Sequence, residues 1–411
     1  MRNEASTQSV AAHVKWATKV IVLAQLLGTS LWFSTNGVAT QLTEDWGIDT
    51  GGIGLLTSAV QIGFIVSTIA LAMFGLADRF KASTIFAVSA VLGALANAAV
   101  VLVADSLAQG VFFRLLVGIA LGGIYPIGMK LIVSWAPEQA GPALAWLVAM
   151  LTLGTASPHL IRGLASGWSS TAIVLTSSVA ALIAGGLIYR LGTGPHAAAP
   201  ARSTKILSVF KIRDFRASAF GYFGHMWELY AFWTITPILV AKLLQDLDAE
   251  TSSRVSLGTF AIIGIGAVGS VLAGRLSRSA SSARVAAVAL AASGVVSIVY
   301  PVLATWTPVV AIIALVVWGM TVIADSAQFS AVCAIAVPRE QLGGALALQN
   351  AIGFFVTVGS ISLLSRFIND WGVWAVWILT PGPILGLWAL RSILGTSASP
   401  IPIKSSVQEH Q

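Results

Sequence analysis

Four ionisable residues stand inside long apolar stretches of the chain: Arg114, His225, Glu228 and Asp325. A charged side chain in hydrocarbon is costly to keep, so each implies a partner or a task. Glu228 and Asp325 have the chemistry to take up and release a proton or to meet a polar solute. His225 lies three residues before Glu228, within one helical turn, and suits a shared proton or an ion pair. Arg114 suits a hub of hydrogen bonds or a counter-charge for an anion. For each carboxylate the chemical role stands beside a structural one, a pairing with a neighbouring helix. Lys130 and His159 lie nearer the ends of their stretches.

Helical spacing extends these positions into stripes, because residues three or four apart share a face. His225, Glu228 and Phe232 form one, and Trp318, Thr321, Asp325 and Gln328 a second. Gln25, Thr29, Trp32 and Asn36 form a third, and Arg114 and Gly118 lead towards Tyr125. Each mixes polar and aromatic groups, which fits a site for a partly polar ligand. Enzymatic chemistry finds no such support. No Walker loop is present, so ATP is not expected as a driver. The lone cysteine, Cys333, excludes an intrachain disulfide and a multi-cysteine metal site. No cofactor and no metal are expected.

The stripes need long helices to carry them. Of the 411 residues, 56% are hydrophobic and 9% charged, against about 25% charged in an ordinary soluble domain. Such a surface needs lipid around it. Twelve stretches reach the roughly 20 apolar residues of a membrane span. They run at about 16–40, 53–77, 83–104, 107–134, 141–163, 169–190, 217–243, 255–275, 284–304, 308–336, 342–365 and 373–391. Continuous stretches of this length predict helices rather than β-barrel strands. The polar start, Met1 to Lys15, has no clear cleavage site after it, so the first stretch reads as a retained span.

Most of the 23 Lys and Arg residues fall on one side when the spans alternate from an inside N-terminus. The exceptions outside are Arg162, Lys242, Arg254 and Arg366. This positive-inside bias places both termini in the cytoplasm, while Glu44, Asp45, Asp49, Asp246, Asp248 and Glu250 gather outside. The net charge of +7 is therefore a topology signal and not a mark of nucleic-acid binding. The segment 191–216, with Arg202, Lys205, Lys211, Arg213 and Arg216, reads as a cytoplasmic linker with a lipid-contacting surface helix. It separates an N-terminal half, 1–190, from a C-terminal half, 217–396, which a tail, 397–411, follows.

The halves repeat each other at an offset near 200. Gly141-Pro142-Ala143-Leu144-Ala145 matches Gly343-Gly344-Ala345-Leu346-Ala347, and Gly118 matches Gly319. Repeated halves with a site between them near mid-membrane are an architecture of alternating-access carriers. Leu76-Ala77-Asp78-Arg79 after the second span resembles the loop motif of the major facilitator superfamily. Arg114, Gly118 and Gly122 resemble that family's fourth-span motif. The sequence departs from the loop motif at Phe74, in place of a leading Gly, and at Ala82-Ser83, in place of a trailing Gly-Arg. The family's fifth-span antiporter motif is reduced to Gly154 and Ser157-Pro158, which leaves the direction of transport open. Asp325 to Ser330 resembles bacterial members grouped near nitrate and cyanate permeases, although the arginines those nitrate carriers hold in spans 2 and 8 are missing.

The resemblance implies an all-α polytopic membrane protein, with twelve transmembrane helices in two pseudo-symmetric six-helix halves. It implies that spans 1, 4, 7 and 10 line a central cavity, to which Arg114, His225, Glu228, Asp325, Gln25, Trp32, Asn36, Tyr125, Trp318 and Gln328 would contribute. It makes Asp78 and Arg79 a conformational gate loop, with Asp78 facing a helix N-terminus. The expected function is secondary active transport of a small, partly polar or ionic solute, with protons as coupling ion. A gradient-independent facilitator or small-anion permease is one alternative, and a non-transporting sensor or assembly factor another. The expected surroundings are the lipids of a bacterial inner membrane, and the expected state is a monomer.

Overall fold

The computed structural model describes residues 2–137, 140–165, 167–195, 206–249 and 251–395, and only the backbone at 2–11, 78, 140, 141, 206, 339 and 340. The tail 397–411, residues 196–205 of the linker and Glu250 lie outside the described residues.

In chain order the first half holds α1 (Arg2–Thr29), α2 (Ala39–Trp46), α3 (Thr50–Met73), α4 (Leu76–Arg79), α5 (Ala82–Leu102), α6 (Leu107–Gly122), α7 (Tyr125–Trp135), α8 (Ala140–Leu164) and α9 (Ser170–Leu191). The second holds α10 (Arg213–Gln245), α11 (Ser252–Gly264), α12 (Gly266–Leu276), α13 (Ser282–Leu303), α14 (Pro308–Thr321), α15 (Ser326–Ala336), α16 (Arg339–Trp371) and α17 (Pro381–Leu394). Helices start where a short polar side chain takes over an orphan backbone N–H. Asp49 accepts from Gly52 at 3.0 Å, and Ser169, Thr251, Ser281 and Thr307 do the same for α9, α11, α13 and α14.

Nine stretches of the described residues are long and apolar enough to cross a membrane, and the last, Gln341–Leu394, has 54 residues, room for two passes. α1 and α10 complete the twelve; their charged residues lower their hydropathy. Large apolar side chains on the outer faces are exposed, Leu95, Val288 and Phe355 among them, as a lipid-covered surface requires.

The repeat is visible in backbone packing. A Cβ at Gly118 would strike the Val60 carbonyl, and one at Gly319 would strike the Ile262 carbonyl. Each glycine lets its span press directly on the second span of its half. Both middle spans then break just beyond the contact, α6 from α7 at residues 123–124 and α14 from α15 at 322–325. The continuous helices expected for spans 4 and 10 are thus each two pieces.

Span 1 also departs from a continuous helix. α1 stops at Thr29, and residues 30–35 turn before a short 3₁₀ segment, Asn36–Val38. The single face expected for Gln25, Thr29, Trp32 and Asn36 is therefore interrupted. Broken backbone at membrane depth survives only where something else bonds its free carbonyls. Arg114 does this for the carbonyls of Leu31 and Trp32. The residue four before Gly118 is Arg114, whereas the residue four before Gly319 is Leu315. The second half thus lacks the cation at that position, and its α10 runs unbroken from Arg213 to Gln245.

The halves meet along α3 with α16 and along α8 with α11 and α12. At the end of the molecule that carries the acidic loops, Thr50 Oγ1 donates to Asn369 Oδ1 at 3.3 Å, and the Ser253 hydroxyl donates to the Gly163 carbonyl. At the opposite, basic end, Met73 and Phe74 of the second span are exposed.

Candidate functional site

The centre of the seam between the halves is a stack of rings. Trp32 lies 5.6 Å from Tyr230 at an interplanar angle of 29°, and 5.6 Å from Phe354 at 25°. Phe64 and Phe354 are 4.3 Å apart, and Phe33 meets Trp233 edge-on at 6.2 Å. The 30–35 turn presents Trp32 and Phe33 here, and α3 presents Phe64. The other half answers with α10 and α16. Beside the stack is a cavity of about 20 Å³, walled by Tyr125, Tyr222, Met226, Tyr230, Ser326 and Phe354 among others. That is room for a single water-sized probe. The seam is closed in this state.

Arg114 faces into its own half and away from this cavity wall. Its guanidinium is fully buried. Nη1 donates to the Leu31 carbonyl at 2.9 Å, Ser34 Oγ at 3.1 Å and Asn97 Oδ1 at 3.4 Å, and Nη2 donates to the Trp32 carbonyl. Asn97 in turn donates to the Val174 carbonyl at 3.1 Å and to Ser178 Oγ at 3.0 Å, tying the cluster to α9. No acidic partner of Arg114 occurs among the described residues. Carbonyl dipoles balance the cation, and the cation holds the turn that carries Trp32.

Glu228 also points into its own half. Oε2 accepts from Ser293 Oγ at 2.8 Å and Oε1 from Trp318 Nε1 at 2.7 Å. Trp318 stacks on Phe232 at 4.3 Å and 26°. The carboxyl therefore links α10 to α13 and α14, and neither it nor Trp318 is among the residues walling the cavity. The stripe expected for Trp318, Thr321, Asp325 and Gln328 is divided by the 322–325 break.

His225 and Asp325 come together. Nδ1 and Oδ1 are 2.7 Å apart, with both side chains 1% exposed. Asp325 sits at the head of α15, next to the wall residue Ser326, and His225 contacts the ring of Tyr222, also in the wall. The pair is thus one residue removed from the cavity.

The remaining candidates divide. Tyr125 lines the cavity, and Trp32 is in the ring stack. The Gln25 carboxamide is buried with both polar atoms unpartnered, its oxygen close to Gly128 of α7. Gln328 is buried with Oε1 unpartnered. Asn36 donates to Thr57 Oγ1 at 3.1 Å and pins the 3₁₀ segment to α3. In the loop expected to act as a gate, Arg79 is exposed at the end of α4, and Lys130 donates to the Ala77 carbonyl two residues before it. The side chain of Asp78 lies outside the described residues. Sequence reasoning passed over Asn97, Ser293, Tyr230 and Phe354. Their types are ordinary in a membrane helix, and only the mid-depth position of the two rings hinted at a role.

The model of the Major Facilitator Superfamily matches residues 21–360. The chain belongs to that superfamily. It is 33% identical over 133 residues to the niacin transporter NiaP of Acinetobacter baylyi, a match covering 30% of this chain and 29% of that one. The chain thus matches less than a third of the length of this curated relative. Solved structures share the fold. The partially occluded inward-open xylose transporter XylE of E. coli superposes with a TM-score of 0.71 at 13% identity, covering 93% of this chain and all of that one. A bacterial homologue of the human lysosomal transporter Spinster, inward-facing and unoccupied, superposes at 0.63 with 14% identity, covering 92% and 94%. The chain is therefore a multi-pass membrane protein with the twelve-helix architecture of its family.

Proposed function

We propose that the chain is a secondary active carrier, moving a small, partly polar solute by alternating access, with a proton bound at the His225–Asp325 pair as coupling ion. The observation that carries this is the 2.7 Å contact between these two buried groups, beside the cavity wall and at the break of the tenth span. A buried pair of opposite charges is tolerable, and either charge alone is not. A proton taken up by Asp325 removes the carboxylate charge that faces His225, so uptake loosens this contact at the hinge between α14 and α15. Glu228, with both oxygens engaged, holds α10 against α13 and α14 while this happens.

In this reading residues 1–190 and 217–396 rock about the ring stack, joined by the cytoplasmic linker 191–216. The basic end is the cytoplasmic one, in a bacterial inner membrane. The bonds at the acidic end keep that side shut in the present state, and the ring stack closes the centre. Among the similar proteins, NiaP moves niacin and XylE is a proton:xylose symporter, which supports a small organic solute and proton coupling. A small-anion permease has less support, because the Nη donors of Arg114 are directed at span-1 carbonyls and groups of its own half.

The test is solute flux in proteoliposomes under an imposed pH gradient. Asp325→Asn should retain exchange without a gradient and lose gradient-driven accumulation. Undiminished accumulation by Asp325→Asn would overturn the proton assignment.

A further inference from the structure

We propose that the transported solute is a flat aromatic or heteroaromatic compound without net negative charge, held between rings of the two halves. This deepens the transport reading above and rests on the central cavity being the transport site.

The first observation is ring orientation across the seam. Trp32 of one half faces Tyr230 and Phe354 of the other nearly parallel, at 29° and 25°. The 20 Å³ cavity beside them holds no more than a water, so a solute enters only when these faces part. A flat ring sliding between them restores an offset stack on each side. A puckered polyol restores none, and the wall beside it is chiefly apolar or aromatic.

The second observation is the set of unmatched polar atoms. Trp32 Nε1 and Trp233 Nε1 are buried in the ring cluster without an acceptor among the described residues. An indole N–H can only donate. Two such donors call for acceptor atoms on the solute, a ring nitrogen or a carbonyl oxygen.

The third is charge. No Lys or Arg is among the residues walling the cavity, and Arg114 is bound to backbone carbonyls within its half. The ionisable groups beside the wall, His225 and Asp325, face each other at 2.7 Å. An anion would lose its water and meet no free cation. An uncharged ring avoids this cost, and a cationic ring gains from the aromatic faces.

The experiment is equilibrium binding to the purified full-length protein in detergent. The probes are benzamide and N-methylpyridinium as flat neutral and cationic rings, benzoate as a flat anion, and cyclohexanecarboxamide and xylose as puckered rings. Benzamide or N-methylpyridinium should bind at least ten-fold more tightly than the other three. Trp32→Leu should weaken that binding about three- to ten-fold, the loss of one stacked face. Tyr230→Leu is the second variant, and the ligand-free melting temperature checks the fold of each. Equal or tighter binding of benzoate, xylose or cyclohexanecarboxamide overturns the proposal. So does binding of neither flat probe, or flat-ring binding unchanged in both folded variants. Binding needs no gradient, so these failures leave proton coupling untouched. Conversely, flat-ring binding with no effect of a pH gradient on flux overturns the coupling alone.

Discussion

Replacing Arg114 by leucine removes the one cation that holds the broken first span. The Trp32 carbonyl loses its donor, and the Leu31 carbonyl keeps only a 3.2 Å contact to the Ser34 hydroxyl, which is itself directed at Asn97. A buried carbonyl left without a partner costs about 1–3 kcal/mol, so two such groups put the loss at about 2–6 kcal/mol. The relief of no longer burying a guanidinium works in the other direction and favours the lower half of that range. For a unit the size of one half, the middle of the remaining range corresponds to a melting temperature lower by about 10 °C. Arg114→Lys keeps the charge with fewer, differently arranged donors, and should fall about midway. The assay is thermal unfolding in detergent, together with amide exchange across residues 30–35. Exchange there should quicken in Arg114→Leu before the rest of the chain responds. If Arg114→Leu melts within about 2 °C of the parent and loses only transport, Arg114 acts on the solute and the scaffold argument fails.

Glu228→Gln should keep gradient-driven flux but lower stability by about 1–3 kcal/mol, since one oxygen becomes a donor facing the N–H of Trp318 or the hydroxyl of Ser293; loss of gradient dependence with unchanged stability would return the proton role to Glu228. Gly319→Leu and Gly118→Leu should each abolish accumulation of folded protein, read by size-exclusion chromatography, because the added side chain strikes backbone carbonyl; a well-folded Gly319→Leu would contradict the close packing of spans 8 and 10. Thr50→Cys with Asn369→Cys, in a Cys333→Ala background, should cross-link readily and block transport reversibly, because the bond locks the acidic end shut; unaltered flux in the cross-linked protein would contradict opening of that seam.

How far the sequence reached depends on the range of each interaction. Span number was readable because bilayer thickness imposes a length on each apolar stretch, while their direction remains a proposal drawn from loop charge. The close second-span contacts at Gly118 and Gly319 were readable as a repeat, though their purpose was not. The breaks in spans 1, 4 and 10 were hidden, since apolar composition is the same on either side of them. What permits the break in span 1 is a guanidinium 82 residues away from the carbonyl it satisfies. The same distance problem applies to Glu228. Its cost in lipid marked it, but its partners lie 65 and 90 residues on and are of common type. Helical spacing put His225 and Glu228 on one face of α10, which is unbroken as expected, but spacing does not say which neighbouring helix each side chain meets. The structure turns Glu228 toward α13 and α14 and leaves His225 to Asp325.

The crowding of indoles at the seam also makes the molecule its own optical gauge. The chain has 14 tryptophans, and Trp32 and Trp233 sit against Tyr230 at mid-depth, shielded from both water and lipid. Ring pairs held this closely give near-ultraviolet circular dichroism that vanishes when they separate. Indoles moved from a dry stack to a wet cleft shift their emission to longer wavelength. If the halves rock as proposed, each half-cycle would carry a spectral signature written by the same residues that close the seam, readable without any attached label.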